Sequence, residues 1–338
     1  MRTCLLLLMS ALLLLTISCN SPSPKIIRPQ IQNLVKAIAK DGVFKSSGVG
    51  FAGVKTDQWR RFEKLSSLAT TEELEDLTDH NNSVVRCYAF VALADKKTID
   101  LYPIVVKHLK DTAKVNTFIG CIVSSSRTGE FFLDNVNPEY SDSTGYRLTK
   151  TEMASIDSIL IFDKSITLSA KYNLLTTLKP NSRYYNRLKE LAVHENCPEA
   201  TLALARFRNK NDIVIIKNLF RQERNETCAI HAAREFPDTS FYPLLVKVFE
   251  NEWGKKLYDY QKWRILYQAL AKYPTSKTIE LFNRTIKCSD SFRRETLGAD
   301  LIIAIRKYPN SLYKPFENKI KLDSFDLDAI KNGMNSED

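Results

Sequence analysis

The sequence has 338 residues, of which 49 are Lys or Arg and 39 are Asp or Glu, for a formal net charge of +10. Only 10 glycines and 12 prolines are present, which argues against an all-β chain built from tight turns. The excess positive charge suits an anionic membrane face or an acidic partner. Opposite charges are interspersed, however, as at Glu63-Lys64, so a solvated helical surface is the favoured interpretation.

The first residues have the pattern of a secretory signal peptide. Arg2 precedes an apolar run, Leu5 to Ile17, that is too short to span a membrane. Leu15-Thr-Ile-Ser-Cys19 resembles the bacterial lipobox, the signature of lipoproteins. The resemblance implies a signal peptide over residues 1–18 and lipidation of Cys19. An ordinary signal peptide with an incidental cysteine is the alternative.

The residues after Cys19 bear on localisation. In lipoproteins of this kind, Asp after the lipidated cysteine favours the inner membrane, so Asn20 implies sorting to the outer membrane, facing the periplasm. Ser21-Pro-Ser-Pro24 completes a polar tether over residues 19–24. We therefore expect a cell-envelope protein whose first partner is the membrane, contacted through an N-terminal lipid anchor.

Residues 25–58 are predicted to form an N-terminal cap helix and a loop. Ile31, Leu34, Val35 and Ile38 follow the spacing of one helix face. Gly48-Val-Gly-Phe-Ala-Gly53 has the glycine spacing of a dinucleotide-binding turn, but no convincing strand precedes it, so a plain loop is predicted.

Residues 59–126 are predicted to be helix pairs. Thr70 and Glu73 have the spacing of a capping box. The segment Leu74 to Leu93 resembles a HEAT repeat: Leu77 closes the first helix, Asp79 marks the turn and can cap the next helix, and the second helix carries Val85, Arg86, Ala89, Ala92 and Leu93. A further pair is predicted at Thr98 to Leu109 and Ala113 to Val123.

Residues 127–149 have no helical stripe and are predicted to be an insertion. Helices resume at a second capping box, Thr149 to Glu152. From there to residue 332 the pairs are predicted at 165–192, 198–221, 225–250, 258–287 and 291–321, with a short helix from Asp326 to Lys331 and a polar tail at 333–338.

A helix end followed by a proline turn recurs along this region. It is clearest at Gln268-Ala-Leu-Ala-Lys-Tyr-Pro-Thr275, and the turn prolines are Pro180, Pro237, Pro274 and Pro309. Ala92, Ala203, Ala233 and Ala269 precede such turns and are predicted to pack between layers. The period predicts an all-α fold, a right-handed α-solenoid of about six to seven HEAT-like helix pairs with one non-helical insertion.

Five cysteines would remain outside the lipidation site: Cys87, Cys121, Cys197, Cys228 and Cys288. An odd number cannot all pair, and no Cys-x-x-Cys motif is present, which excludes a zinc ribbon and a thioredoxin-like site. The thiols of Cys87, Cys121 and Cys228 lie in apolar runs and are predicted to be buried in helices.

Few residues suggest chemistry. The histidines, His80, His108, His194 and His231, make no metal-binding motif, and His194 with Cys197 supplies half a zinc site at most. No nucleophile elbow or phosphate-binding loop is present. We therefore predict no catalytic residue, no metal and no cofactor.

The leading functional hypothesis is a non-catalytic interaction scaffold for an unknown envelope protein. An enzyme whose site is assembled across repeats is the alternative, and it would require His, Cys and acidic side chains to converge in one pocket. Nucleic-acid binding is not expected of an exported lipoprotein.

Two irregular segments, 127–149 and 251–263, are the predicted contacts with a partner, because both interrupt a regular array and are rich in aromatic residues. The alternative is that the rings pack on the helices. The residues concerned are Phe131, Phe132, Tyr140 and Tyr146 in the first segment and Trp253, Tyr258, Tyr260 and Trp263 in the second.

Overall fold

The computed structural model describes residues 27–139, 145–320 and 324–335, so the signal peptide, Cys19, the tether and Tyr140 lie outside the described residues. The chain divides into two compact units. The first comprises residues 27–156 and 165–168, and the second comprises Asp157–Lys164 and the described residues from Ser169 onward. The fold is mostly helical, with one small mixed sheet.

The first unit contains short helices around a three-stranded sheet. Helix α7, Lys150–Phe162, contributes residues to both units. In chain order the other elements are α1 Pro29–Asp41, β1 Val43–Val49, α2 Asp57–Leu68, α3 Thr71–Leu77, α4 Ser83–Lys96, α5 Tyr102–His108, β2 Lys114–Gly120, β3 Ile122–Arg127 and α6 Thr128–Val136.

The sheet corrects the prediction of an all-α fold. Residues 113–123 were expected to be helical, but they supply β2 and the start of β3, which pair antiparallel around a turn at Gly120, whose φ is +55°. Burial alternates along β2, with Val115 and Thr117 inside, which is the period of a strand. The β-branched side chains and the left-handed glycine favour a hairpin over a helix here.

Strand β1 pairs parallel with β2, so a strand does precede the glycine-rich segment at Gly48–Gly53. That segment makes a tight turn, closed by an isolated bridge between Val49 and Val54, and α2 begins only at Asp57. On the other side of β1, the Tyr88 hydroxyl accepts from Lys45 N at 2.8 Å and donates to Lys45 O at 2.9 Å. The core helix α4 thus occupies the backbone groups at the middle of this edge.

The predicted insertion also contains a helix. Residues 128–136 form α6, and Phe132 and Val136 on it are fully buried. Gly129 permits this packing, because a Cβ there would lie 2.4 Å from the His108 carbonyl oxygen. The helix was missed because it is short and its apolar residues span little more than one turn.

The HEAT-like segment folds as two helices, α3 and α4, and Val85, Arg86, Ala89, Ala92 and Leu93 are all buried. Both hydrogen bonds of the Thr70–Glu73 capping box are present. The cap of α4 differs from the prediction: Asn82 accepts from Val84 N and Val85 N, at 3.0 and 3.2 Å. Asp79 instead forms an ion pair with Lys107.

The second unit is helical throughout its described residues, and the predicted helix pairs from residue 165 onward are confirmed as helices. They are α8 Ser169–Thr177, α9 Ser182–His194, α10 Pro198–Ala205, α11 Ile213–Leu219, α12 Glu226–Glu235, α13 Tyr242–Trp253, α14 Tyr260–Ala271, α15 Ser276–Ile286, α16 Ser291–Lys307, α17 Lys314–Glu317 and α18 Ser324–Asn335.

Alternate helices pack in sequence order in this unit: α8 on α10, α10 on α12, α12 on α14, α14 on α16 and α16 on α18. Each turn proline follows a helix end, as predicted, because proline cannot continue the helix. The predicted small residues are buried: Ala203, Ala233 and Ala269 here and Ala92 in the first unit. Small side chains let neighbouring helices approach closely.

Two further observations bear on the sequence predictions. Cys121 is exposed at the turn between β2 and β3, whereas Cys87 is buried and Cys228 is half-buried. The prediction of a buried helical thiol is therefore wrong for Cys121, because its segment is a hairpin. Among the described residues, no helix combines the length and apolar character needed to cross a bilayer.

Candidate functional site

An open groove of about 800 Å³ lies in the second unit, where the end of α13, the face of α15 and the start of α16 meet. Trp253 is the last residue of α13, and the turn between α15 and α16 also lines the groove. The lining residues are Trp253, Ser276, Ile279, Glu280, Asn283, Arg284, Lys287, Cys288, Ser289, Asp290 and Arg293.

Trp253 is in contact with two guanidinium groups. The Arg293 Cζ lies 4.0 Å from the centroid of the Trp253 ring, and the Arg284 Cζ lies 5.1 Å from it. Arg284 is on the last turn of α15 and Arg293 on the first turn of α16, so the short connection between these helices places both near the indole. Guanidinium groups at these distances interact favourably with the electron-rich ring face.

Arg293 also contacts Tyr258, whose ring centroid lies 4.1 Å from its Cζ. The residue is only 7% exposed, and its Nη2 donates to the Trp253 carbonyl oxygen at 3.1 Å. Its Nε is buried and has no hydrogen-bond partner within the described residues. No carboxylate of the described chain forms an ion pair with it. A buried cation in this state is unusual, because buried charges are normally paired.

The other charges at the groove are mostly neutralised. Arg284 Nη1 donates to both oxygens of Glu250, at 2.7 and 2.6 Å. Glu280 accepts from Lys277 at 2.8 Å. The Asp290 side chain caps α16 by accepting from Arg293 N at 3.0 Å. Lys287 is exposed at the rim and has no ion pair among the described residues.

The aromatic residues predicted in segment 251–263 gather beside this groove. The segment was predicted to be irregular throughout, but only residues 254–259 form a loop, and the remaining residues belong to α13 and α14. Trp253 and Trp263 are 6.0 Å apart in an edge-to-face arrangement, and Tyr258 and Tyr260 are 6.5 Å apart. Trp263 is fully buried and packs against Trp253 on the side away from solvent. Trp253 and Tyr258 are half-buried, and Tyr260 is exposed.

The described aromatic residues predicted in segment 127–149 lie in the first unit and contact other elements of that unit. Phe131 lies against Phe44, with centroids 4.7 Å apart, and Phe132 stacks on Phe90 at 4.0 Å. Tyr146 donates its hydroxyl to Asp100 at 2.7 Å. Phe131 and Phe132 are buried, which favours the alternative that these rings form core. Tyr140 lies outside the described residues.

A second surface is exposed at the end of the sheet. The Gly50 N–H donates to Gly120 O at 2.9 Å and joins the two neighbouring turns. Around them Phe51, Ile122 and Val123 are largely solvent-exposed. Strand β3 is exposed along most of its length, and among the described residues it pairs only with β2, so no described strand covers its outer edge. Such an edge is available for strand pairing.

The described histidines do not line the groove. The groove contains Cys288 and acidic residues but no histidine. His108, in the first unit, lies 3.3 Å from both Asp79 and Asp111, and Arg86 Nε lies 3.0 Å from Asp111. This cluster ties the turn after α3 to the end of α5. Among the described residues, no three His, Cys, Asp or Glu side chains are placed to hold a metal ion.

Arg284, Lys287 and Arg293 were not identified from the sequence. They belong to the helices after the aromatic segment, and their positive charges are interspersed with acidic residues like those elsewhere. Only packing brings them to Trp253. Comparison of the chain with protein-family models, with curated proteins and with solved structures finds no match.

Proposed function

We propose that this protein is a lipid-anchored envelope protein that acts as a non-catalytic scaffold for another envelope protein. In this proposal the lipid on Cys19 holds the chain at the outer membrane, facing the periplasm. The helix pairs form a right-handed, HEAT-like α-solenoid, and the groove around Trp253 receives a segment of the partner.

The sequential packing of alternate helices, from α8 to α18, supports the repeat architecture. In repeat proteins each unit packs on its neighbours, and the stack offers an extended surface to a partner. The lipobox-like residues before Cys19 support the anchor. Two acyl chains hold a protein firmly at a membrane where one is marginal.

The observation that carries the proposal is the half-buried Trp253 ring, which lines the groove in contact with Arg284 and Arg293. Tryptophan and arginine dominate the binding energy of protein interfaces. The groove is open to solvent along Asn283, Lys287 and Ser289, which leaves room for a chain segment. It also lies beside the aromatic segment predicted as a contact.

The proposal is tested by photo-crosslinking in intact cells. A benzophenone amino acid replaces Asn283, which lines the groove, and in a matched variant it replaces Val214, exposed on α11. We expect a discrete crosslinked protein from position 283 that is absent from position 214 and is lost with Trp253→Ala. Identical products from both positions would contradict the scaffold proposal, provided that Trp253→Ala keeps its helical circular dichroism.

The anchor is tested separately by fractionation. Cys19→Ser protein is expected to leave the outer membrane after a salt wash, while the unsubstituted chain stays. Retention of Cys19→Ser protein in the washed outer membrane would show that the lipid is not the anchor.

A further inference from the structure

We infer that the groove binds a carboxylate carried next to an apolar side chain on an extended peptide segment of the partner. This inference rests on the proposed function and names the chemistry of the ligand. It is carried by Arg293, a buried guanidinium that faces the groove without an ion pair among the described residues.

The environment of Arg293 holds the guanidinium in place and leaves it partly unsatisfied. The Trp253 and Tyr258 rings lie 4.0 and 4.1 Å from its Cζ, and one of its donors is used by the Trp253 carbonyl. Its Nε remains without a hydrogen bond. Because the side chain is fixed before a ligand arrives, little conformational entropy is lost when an acceptor binds. A carboxylate suits such a site, since it forms strong, directional hydrogen bonds with arginine.

The charge balance favours a carboxylate over a phosphate. Arg284 is already paired with Glu250, so Arg293 and Lys287 are the cations left to a ligand among the described lining residues. Asp290 also lines the groove and has no ion pair among the described residues, whereas Glu280 is paired with Lys277. A phosphate monoester carries close to two negative charges at neutral pH and would be repelled more strongly by the Asp290 carboxylate. A singly charged carboxylate matches the available positive charge.

The apolar residues that line the groove explain why the bound carboxylate is expected to lie next to an apolar side chain of the ligand. Ile279 and the exposed part of Trp253 form a wall beside the charged residues. An apolar side chain adjacent to the acidic residue would bury this wall and exclude water from the guanidinium. Exclusion of water strengthens the ionic hydrogen bond, because the local dielectric constant falls.

The test is a fluorescence titration of the full chain carrying Trp59→Phe, in which Trp253 reports on the groove and Trp263 is buried. The probes are acetyl-Leu-Glu-Leu-amide, its isosteric control acetyl-Leu-Gln-Leu-amide, and inorganic phosphate. We expect the Glu peptide to bind at least about tenfold more tightly than the Gln peptide, because a hydrogen bond to a charged group is the stronger kind. Added salt is expected to weaken the binding of the Glu peptide and to leave the binding of the Gln peptide unchanged.

Variants separate binding from folding. Lys287→Gln removes an exposed charge at the rim of the groove. It is expected to lower the affinity for the Glu peptide about threefold, as for other solvent-exposed ion pairs. Arg293→Lys keeps the charge but loses the planar fork, and it is expected to abolish the preference for Glu over Gln. Arg306→Gln, an exposed arginine on the same helix α16, is the matched control and is expected to bind normally.

Equal affinity for the Glu and Gln peptides, or tighter binding of phosphate than of the Glu peptide, would overturn the inference. The proposed scaffold function would survive that result if the crosslink from position 283 were still present. Loss of that crosslink together with undetectable peptide binding would contradict both the inference and the proposed scaffold function.

Discussion

Arg28 binds the carboxylate of Glu73 with its backbone N–H, Nε and Nη2, at 3.1, 2.9 and 2.6 Å. Thr70 N donates to the same carboxylate at 3.0 Å. One glutamate therefore completes the capping box of α3 and also binds the segment before α1 to the start of α3. These hydrogen bonds, chiefly those from the Arg28 side chain, lower the pKa of Glu73 from 4.5 to about 2.

The depressed pKa predicts a stability loss in acid. The folded-state pKa lies below the unfolded value, so the Glu73 contribution is present above the unfolded pKa of 4.5 and is lost as the pH falls through about 2. We expect Glu73→Gln to melt at a lower temperature than the unsubstituted chain at neutral pH and the difference to shrink over this range. Glu75→Gln, in the same helix α3, is the control in calorimetry at each pH. A pH-independent difference would contradict the assignment.

Ala233 is fully buried on α12, between α10 and α14. We expect Ala233→Phe to lower the free energy of unfolding by about 1 to 3 kcal/mol, because a large side chain overpacks a filled helix interface. Val193→Phe, which enlarges an exposed side chain on α9, should change it little. Urea unfolding measures both, and an unchanged midpoint for Ala233→Phe would place that residue outside the core.

The outer edge of β3 predicts self-association at high concentration. Val123 is 75% exposed on this edge, and no charged residue occurs between Ile122 and Ser126. Val123→Lys is expected to weaken dimer formation, since an edge lysine discourages strand pairing. Val214→Lys, at a valine 69% exposed on a helix, should have no such effect. Light scattering measures the molar mass at increasing concentration, and equal dimer fractions for the two variants would refute the prediction.

The free thiols are expected to react in a fixed order. Cys121 is exposed, whereas burial raises the pKa of Cys87 well above its usual range and that of Cys197 to about 12. Since the thiolate is the reactive form, iodoacetamide should label Cys121 first in the native protein and Cys87 only after unfolding. Peptide mass spectrometry measures the order, and Cys121→Ser should remove the fast phase. Early labelling of Cys87 would show that α4 opens in the native state.

The sequence predicted the second unit well because its signals are local. The apolar stripes and the turn prolines at Pro237 and Pro274 act within one helix, so the helix pairs are correct to within a few residues. The sheet was missed because β1 and β2 are far apart in the chain and pair only in the folded state. Residues 113–123 lie next to a helix and are too short for periodicity alone to decide.

The sequence predicted the aromatic residues of the candidate site but not its arginine residues. Aromatic density identified Trp253 and Tyr258, but the same criterion selected Phe131 and Phe132, which are core. The number of aromatic residues in a segment does not distinguish a ring that lines a groove from a ring that is part of the core. Arg293 was missed because its contact with the Trp253 carbonyl spans 40 residues of sequence. Contacts between successive helix pairs depend on packing, which no local pattern records.

The hydrogen bonds of Tyr88 to Lys45 have a consequence for assembly. Because they occupy the middle of the β1 edge, the sheet can accept a further strand only along β3 within the described part of the chain. In two copies that pair through β3, the β1 edge of each copy would still be occupied by Tyr88. An isologous contact of that kind closes on itself. Strand addition at this sheet is therefore self-limiting: it ends at a dimer and cannot propagate into a fibre.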